Sequence, residues 1–132
     1  MKKRLEKFLL GIMENIVTEN IEPHKYDGMS DFDWFQDECM KTAIYPKKEA
    51  LAYTALGLAS EAGEYCSRIK KGIRDGDFDD IGAAAELGDC LWYVAASAQE
   101  LGYSLEEIAQ GVIKKLQDRK SRGVLSGSGD YR

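Results

Sequence analysis

Four carboxylates in the sequence occur as two pairs, each with a spacing of three residues. Glu61 and Glu64 form the first pair, and Glu86 and Asp89 form the second. Residues three apart lie on the same side of a helix, so each pair presents two acids together. If the two pairs face each other, four carboxylates surround one small volume. Oxygen donors of this kind, in a chain whose one histidine is His24, favour Mg²⁺ or Mn²⁺ over zinc.

The second acid pair lies in a stretch that is apolar on nearly every side, which predicts that its carboxylates are buried. Buried carboxylates need a partner, a proton or a metal ion. Residues 75–113 contain no lysine or arginine, so we expect no local basic partner for Glu86. The alternative for the first pair is an ordinary solvated helix face, with Glu64 and Arg68 as a surface ion pair at four-residue spacing.

Helices must position these acids, because the chain lacks the signals of strands. It has only two prolines and shows neither period-two alternation nor a hairpin turn. Apolar residues instead recur at intervals of three and four, which predicts an all-α fold. Five helices are expected: over residues 2–21, from Ser30 or Asp31 to just before Pro46, and over residues 47–71, 80–101 and 105–120.

Local signals predict how these helices end and how they meet. Ser104, followed by Glu107, is a capping box for the last helix. A basic turn followed by Gly72 predicts the end of the third helix at residue 71. Gly63 and Gly88 lie one inside each acid pair. Because glycine is costly inside a helix, they predict a close approach of the two helices at the acids.

Composition limits the class of protein. The chain has 132 residues, a net charge of −5 and 44% hydrophobic residues, which fits one globular domain with its own core. The acidic balance argues against binding of duplex nucleic acid, and no apolar run is long enough to cross a membrane. Cys39, Cys66 and Cys90 are expected to be reduced and buried, as in the cytoplasm. A helix within residues 1–22 and a glycine-rich tail at 121–132 flank the centre of the chain.

The two acid pairs, separated by 21 residues, resemble the metal-binding signature of the MazG-like all-α nucleoside triphosphate pyrophosphohydrolases. Further segments that are similar to this family occur at residues 56–64, 86–93, 101–107 and 115–119. The ending at 122–132 is similar to that of short phage and bacterial members. The resemblance covers about residues 30–132 and implies a single MazG-like helical bundle over 1–132.

The resemblance implies hydrolysis of a nucleoside triphosphate, or its deoxy form, to the monophosphate and pyrophosphate. It implies two or more Mg²⁺ or Mn²⁺ ions held by Glu61, Glu64, Glu86 and Asp89, with Glu61 as the general base. The cations available to neutralise the triphosphate are Lys71, Lys115, Arg119, Arg122 and Arg132. The residues available to contact the base are Trp34 and Gln36.

The substrate and assembly expected from the resemblance are less specific than the reaction. A purine dNTP such as dGTP is favoured, with dUTP and dCTP as alternatives within the family. Relatives form homodimers or homotetramers, so we expect a second copy to complete the site. Ser60 and Val112 depart from the residues that many members carry at these positions. Outside the enzymes, the alternative is a non-catalytic helical assembly module; a di-iron oxidase would need Glu-x-x-His pairs that this chain lacks.

Overall fold

The computed structural model describes residues 28–129, and over that range the chain is helical and contains no strand. Its elements are α1 (Asp31–Lys41), a single 3₁₀ turn (Lys47–Glu49), α2 (Ala50–Asp75), α3 (Asp80–Leu101) and α4 (Leu105–Ser121). The prediction of an all-α fold is confirmed. The helix predicted over residues 2–21 lies outside the described residues.

The two long helices, α2 and α3, pack against each other as an antiparallel pair. A Cβ built on Gly57 of α2 would overlap the ring of Tyr93 on α3, so glycine allows the closest approach at that level. The chain reverses direction after Gly76, whose φ of 71° is left-handed and favours glycine. Asp79 then caps α3, because its side chain accepts a hydrogen bond from the backbone N–H of Gly82 at 2.8 Å.

Two predictions about glycines are wrong. The third predicted helix does not end at residue 71: Gly72 remains helical, and a Cβ there would lie 2.9 Å from the ring of Phe78. Gly72 therefore makes room for the ring that packs over the α2–α3 link. Gly63 and Gly88 do not mark a close approach, because a Cβ at either position meets no described atom within 4 Å.

The shorter helix α1 lies across α3 and α4. The buried core forms there and, in a second cluster, where α3 meets the start of α2 and the segment between α1 and α2. One cluster of buried side chains contains Cys39, Ala95 and Leu105, and a second contains Tyr45, Ala50 and Ala96. Met40 and Trp92 pack against both clusters. The prediction of buried cysteines holds for Cys39 but is wrong for Cys66, which is exposed on α2; both are free thiols.

Side chains of α1 hold the beginning of α4. The first three N–H groups of α4 donate in turn to Oε1 of Gln36 at 2.8 Å, Oδ1 of Asp33 at 3.1 Å and Oγ of Ser104 at 3.1 Å. Glu107 accepts in return from the backbone N–H of Ser104 at 2.9 Å, which confirms the predicted capping box. Three donors that a helix leaves unsatisfied are therefore paired, two of them by another helix.

Large apolar side chains of the described chain lie mostly at its surface. The buried hydrophobic residues are largely alanines, and Leu105 is the one branched aliphatic side chain among them. On α4, the large apolar side chains that are more than a third exposed are Ile108, Val112, Ile113 and Leu116. None of the helices within residues 28–129 combines the length and apolar character that crossing a membrane requires.

Candidate metal centre

Three carboxylates meet where the middle of α2 faces α3. Glu61, Glu86 and Asp89 can each offer one oxygen, and these oxygens lie within 4.8 Å of one another. The helix pairing produces this group: Gly57 lies against Tyr93, and one turn along each helix from that contact stand Glu61 and Asp89. Glu86 is buried, Glu61 is half-buried and Asp89 is exposed, so the group opens from the helix interface toward solvent.

The carboxylates of this group repel one another. Partial burial raises the pKa of Glu61 most, and the charges of Asp89, Glu64 and Glu86 raise it further. Glu64 is exposed and does not join the group of three among the described residues. The structure therefore brings three of the four predicted ligands together and places the fourth within electrostatic reach of Glu61.

Glu86 has no basic partner close to it in sequence, as predicted, but it has one from the neighbouring helix. Arg68 of α2 donates from Nε to Oε1 of Glu86 at 2.8 Å, and its Nη2 forms an ion pair with the same oxygen at 2.8 Å. Its Nη1 donates to Oδ2 of Asp79 at 2.6 Å. These contacts, the bond to Glu86 first, raise the pKa of Arg68. Arg68 thus turns toward α3, and not along α2 to Glu64 as the four-residue spacing predicted. The antiparallel arrangement supplies a base from 18 residues earlier in the chain.

An open cleft of about 400 Å³ lies beside the three carboxylates. Its lining contains Glu61 and Asp89 together with Thr42, Trp92 and Tyr93. Trp92 donates from Nε1 to Oγ1 of Thr42 at 2.9 Å, and the rings of Trp92 and Tyr93 meet edge to face with centroids 5.0 Å apart. The aromatic rings suit contact with a planar ring, and a divalent cation held by the acids would suit phosphates.

These aromatic lining residues were not predicted from the sequence. The available signal was position: Trp92 and Tyr93 follow Asp89 by three and four residues, so they share its side of α3. Burial raises the pKa of Tyr93 most, and the charge of the nearby Tyr53 comes next, followed by Glu61 and Asp89. A side-chain hydrogen bond with Tyr53 also raises this pKa, so the hydroxyl of Tyr93 already has a partner within the protein.

The two residues predicted to contact a base do not line this cleft. Trp34 and Gln36 both lie on α1. Gln36 is only 4% exposed, and its Nε2 donates to the backbone carbonyls of Ala95 at 3.2 Å and Tyr103 at 3.1 Å. With the bond that it accepts from α4, its amide joins three helices, which is a structural role. Base contact by either residue stays a prediction.

The predicted phosphate-binding lysines are separated in the described chain. Lys71 is exposed on α2, ten residues beyond Glu61. Lys115 lines a second cleft, on α4, together with Tyr103 and Val112. Over residues 28–129, α4 contacts α1 and α3 but not α2. A single copy therefore does not gather both lysines at the acids.

Two of the predicted phosphate-binding arginines, Arg119 and Arg122, lie at the end of α4. Arg119 is buried, and its Nη2 donates to the carbonyl of Gly129 at 3.2 Å, so it holds the tail against the helix. Arg122 donates from Nε at 2.9 Å and from Nη2 at 2.6 Å to Oδ2 of Asp118. Arg132 lies outside the described residues. Phosphate binding by these residues stays a prediction.

The donor set of the group fits a hard divalent cation. Mg²⁺ and Mn²⁺ prefer carboxylate oxygens and commonly complete their shells with water and substrate phosphates. Cys90 stands next to Asp89, but burial, followed by the charge of Glu61, raises the pKa of its thiol. Its sulfur is not among the ligand atoms that lie together in the group, all of which are carboxylate oxygens. Fold and site together define an all-α protein with an acidic centre suited to a divalent cation.

Comparison with known proteins gives the same class. The model of the MazG nucleotide pyrophosphohydrolase domain matches residues 50–124, which contain the three carboxylates and the cleft aromatics on α3. The "Gene 37 protein" of Mycobacterium phage L5 is 43% identical over 113 residues, covering 76% of this chain and 97% of the phage protein. No solved structure is significantly similar. The chain belongs to the MazG nucleotide pyrophosphohydrolase domain family.

Proposed function

We propose that this protein hydrolyses nucleoside triphosphates, or their deoxy forms, to the monophosphate and pyrophosphate, with Mg²⁺ or Mn²⁺ as cofactor. The observation that carries the proposal is the convergence of Glu61, Glu86 and Asp89 on adjacent helices, inside the segment that the family model matches. When bound, the divalent cations neutralise phosphate oxygens and lower the pKa of a coordinated water.

The acids divide the chemical work among them. Glu61, Glu86 and Asp89 would hold the first ion, and Glu64, which adds to the field at Glu61, would extend the set for a second. In this proposal Glu61 also acts as the general base that accepts the proton of the attacking water. The water oxygen forms a bond to the α-phosphorus. The bond from that phosphorus to the oxygen that bridges the α- and β-phosphates breaks, and pyrophosphate leaves with the bridging oxygen.

The cleft supplies substrate recognition in this proposal. Trp92 and Tyr93 present aromatic surface beside the acids, against which a base or sugar packs. A purine dNTP such as dGTP is the favoured substrate, with dUTP and dCTP as alternatives. Trp34→Ala and Trp92→Ala test which aromatic ring contacts the base. We expect the order of kcat/KM values among nucleotides with different bases to change only when the ring that contacts the base is removed.

We propose that the protein acts as a homodimer or homotetramer in the cytoplasm. The apolar face of α4, which consists of Ile108, Val112, Ile113 and Leu116, is exposed, and an apolar face of this extent is typical of an interface. A second copy seated on it would also bring the basic end of α4 to a neighbouring acid group. The cations that this arrangement would recruit are Lys115, Arg119, Arg122 and Arg132.

A nucleotide panel with product analysis tests the proposed reaction. We expect monophosphate and pyrophosphate in equal amounts with Mg²⁺ or Mn²⁺, and at least about a 100-fold lower rate for Glu61→Gln. Glu38→Gln is the matched control, because Glu38 is an exposed acid of α1 that pairs with Lys41. Orthophosphate as a product, or full activity of Glu61→Gln, would contradict the proposal.

A non-catalytic assembly module remains the competing function, because the described helices expose large apolar side chains. In that case the acids stabilise the fold through ion pairs such as Arg68–Glu86. Titration of the nucleotide-free protein with Mn²⁺ separates the two functions. A rise in melting temperature that Glu61→Gln reduces supports the enzyme, whereas no response to Mn²⁺ supports the assembly module.

A further inference from the structure

Arg68 crosses from α2 to α3 and contacts two carboxylates there. Its Nε donates to Oε1 of Glu86, its Nη2 forms an ion pair with the same oxygen, and its Nη1 donates to Oδ2 of Asp79. Asp79 stands immediately before α3, and Glu86 lies two turns further along that helix. The planar guanidinium is therefore held at both ends, and its orientation relative to α3 is defined.

Glycine at position 82 leaves room for the guanidinium of Arg68 against the first turn of α3. A Cβ built on Gly82 would overlap both the guanidinium of Arg68 and the carboxylate of Asp79. Asp79 uses its other oxygen, Oδ1, to accept the backbone N–H of Gly82. The anchor for Arg68 is thus itself fixed by the first turn of α3, and glycine at position 82 permits the whole arrangement.

We propose that Arg68 is a positioning residue, which orients Glu86 for the divalent cation. This inference rests on the proposed function, because it takes Glu86 as a metal ligand. Both contacts from Arg68 fall on Oε1 of Glu86. That geometry leaves Oε2 for a cation shared with Glu61 and Asp89, the other members of the carboxylate group.

The reason for such a residue is the flexibility of glutamate. A glutamate side chain occupies several rotamers unless a partner selects one. The side chain of Glu86 is only 8% exposed, so water contributes little to orienting it. An arginine that holds the carboxylate in one rotamer before the cation binds reduces the conformational entropy that is lost on binding. Residues that hydrogen-bond to metal ligands generally have this effect. If Arg68 competed with the cation for Glu86, its removal would instead tighten metal binding.

Mn²⁺ titration of the nucleotide-free protein distinguishes positioning from competition. We expect Arg68→Gln to weaken Mn²⁺ binding about tenfold or more, measured by calorimetry on the folded variant. Arg68→Lys should restore part of the affinity, because an ammonium reaches one carboxylate but does not span both. Arg74→Gln is the matched control: Arg74 lies on the same helix and pairs with its neighbour Asp75, so its loss should leave Mn²⁺ affinity unchanged.

Asp79→Asn provides a second variant that alters neither Arg68 nor Glu86. Asparagine keeps the N-cap but removes the charge that holds Nη1, so its Mn²⁺ affinity should fall between wild type and Arg68→Gln. This variant decides the question if Arg68→Gln does not fold. Unchanged or tighter Mn²⁺ binding in the folded variants overturns the positioning role alone. A wild-type protein that binds no Mn²⁺ overturns both this role and the proposed function.

Discussion

Two glutamates of the acidic group have opposite electrostatic surroundings. Glu61 lies among like charges, since Asp89, Glu64 and Glu86 all raise its pKa in addition to partial burial. Glu86 is more deeply buried but has the guanidinium of Arg68 against one oxygen. The same chemical change, Glu to Gln, should therefore have opposite effects on the stability of the metal-free protein at the two positions.

We expect Glu61→Gln to raise the melting temperature of the metal-free protein, because it removes a carboxylate that its neighbours repel. Glu86→Gln should lower it, because Arg68 loses its buried partner. Differential scanning calorimetry without divalent cations measures both changes. Glu38→Gln, at an exposed site paired with Lys41, should change the melting temperature little. A shift in the same direction for both glutamates would contradict this assignment.

Glu61 also makes stability depend on pH. Its pKa in the folded protein is raised above the ordinary 4.5, so the folded state binds this proton more readily than the unfolded state. Its contribution to the free energy of unfolding is fully present below pH 4.5 and is lost as the pH rises through the raised pKa. Denaturant unfolding of wild type and Glu61→Gln at several pH values should show wild type losing relative stability as the pH rises. A pH-independent difference would refute this.

At the scale of the elements, α1 stabilises the start of α4. We expect Gln36→Ala to lower the free energy of unfolding by about 2 kcal/mol, because it leaves a buried backbone N–H without its acceptor. The carbonyls of Ala95 and Tyr103 lose a donor as well. Gln110→Ala is the control, since that amide is exposed and bonds only within α4; its cost should be below about 0.5 kcal/mol. Equal costs would show that the interhelical cap contributes nothing.

Two glycines of α2 should respond in opposite ways to alanine. Gly57→Ala should cost about 1–3 kcal/mol, because the new methyl overlaps the ring of Tyr93 and forces α2 and α3 apart. Gly63→Ala should stabilise the helix by up to about 1 kcal/mol, since its Cβ would meet no described atom within 4 Å. Chemical denaturation measures both changes. A Gly63→Ala variant as destabilised as Gly57→Ala would indicate a neighbour on that face, such as a second copy.

At the scale of the whole molecule, the exposed apolar face of α4 should be an interface between copies. We expect Val112→Glu to shift the protein toward monomer in size-exclusion chromatography with light scattering, because it places a charge in an apolar contact. Lys114→Glu, a charge change at another exposed position of the same helix, should leave the assembly intact. A wild-type monomer, or a Val112→Glu variant that assembles like wild type, would rule out this face.

Much of the fold could be predicted because its signals are local. Apolar spacing of three and four residues, the cap at Ser30 and the capping box at Ser104 depend on neighbours within one or two turns. The acid pairs were visible for the same reason, since Glu86 and Asp89 share a helix side whatever surrounds them. The helix end predicted at residue 71 is wrong because Gly72 makes room for the ring of Phe78 and does not end the helix. The local sequence does not distinguish these two uses of glycine.

What the sequence by itself determined was therefore the helices and the acidic character of the site. The tertiary structure alone decided which acids lie together and that Arg68 pairs with Glu86. It also decided that Trp92 and Tyr93 line the cleft. These depend on the offset and rotation of α2 against α3, which are determined by contacts such as Gly57 with Tyr93. Residues distant in sequence come together only through that packing, so no local pattern encodes the partner that each side chain finds.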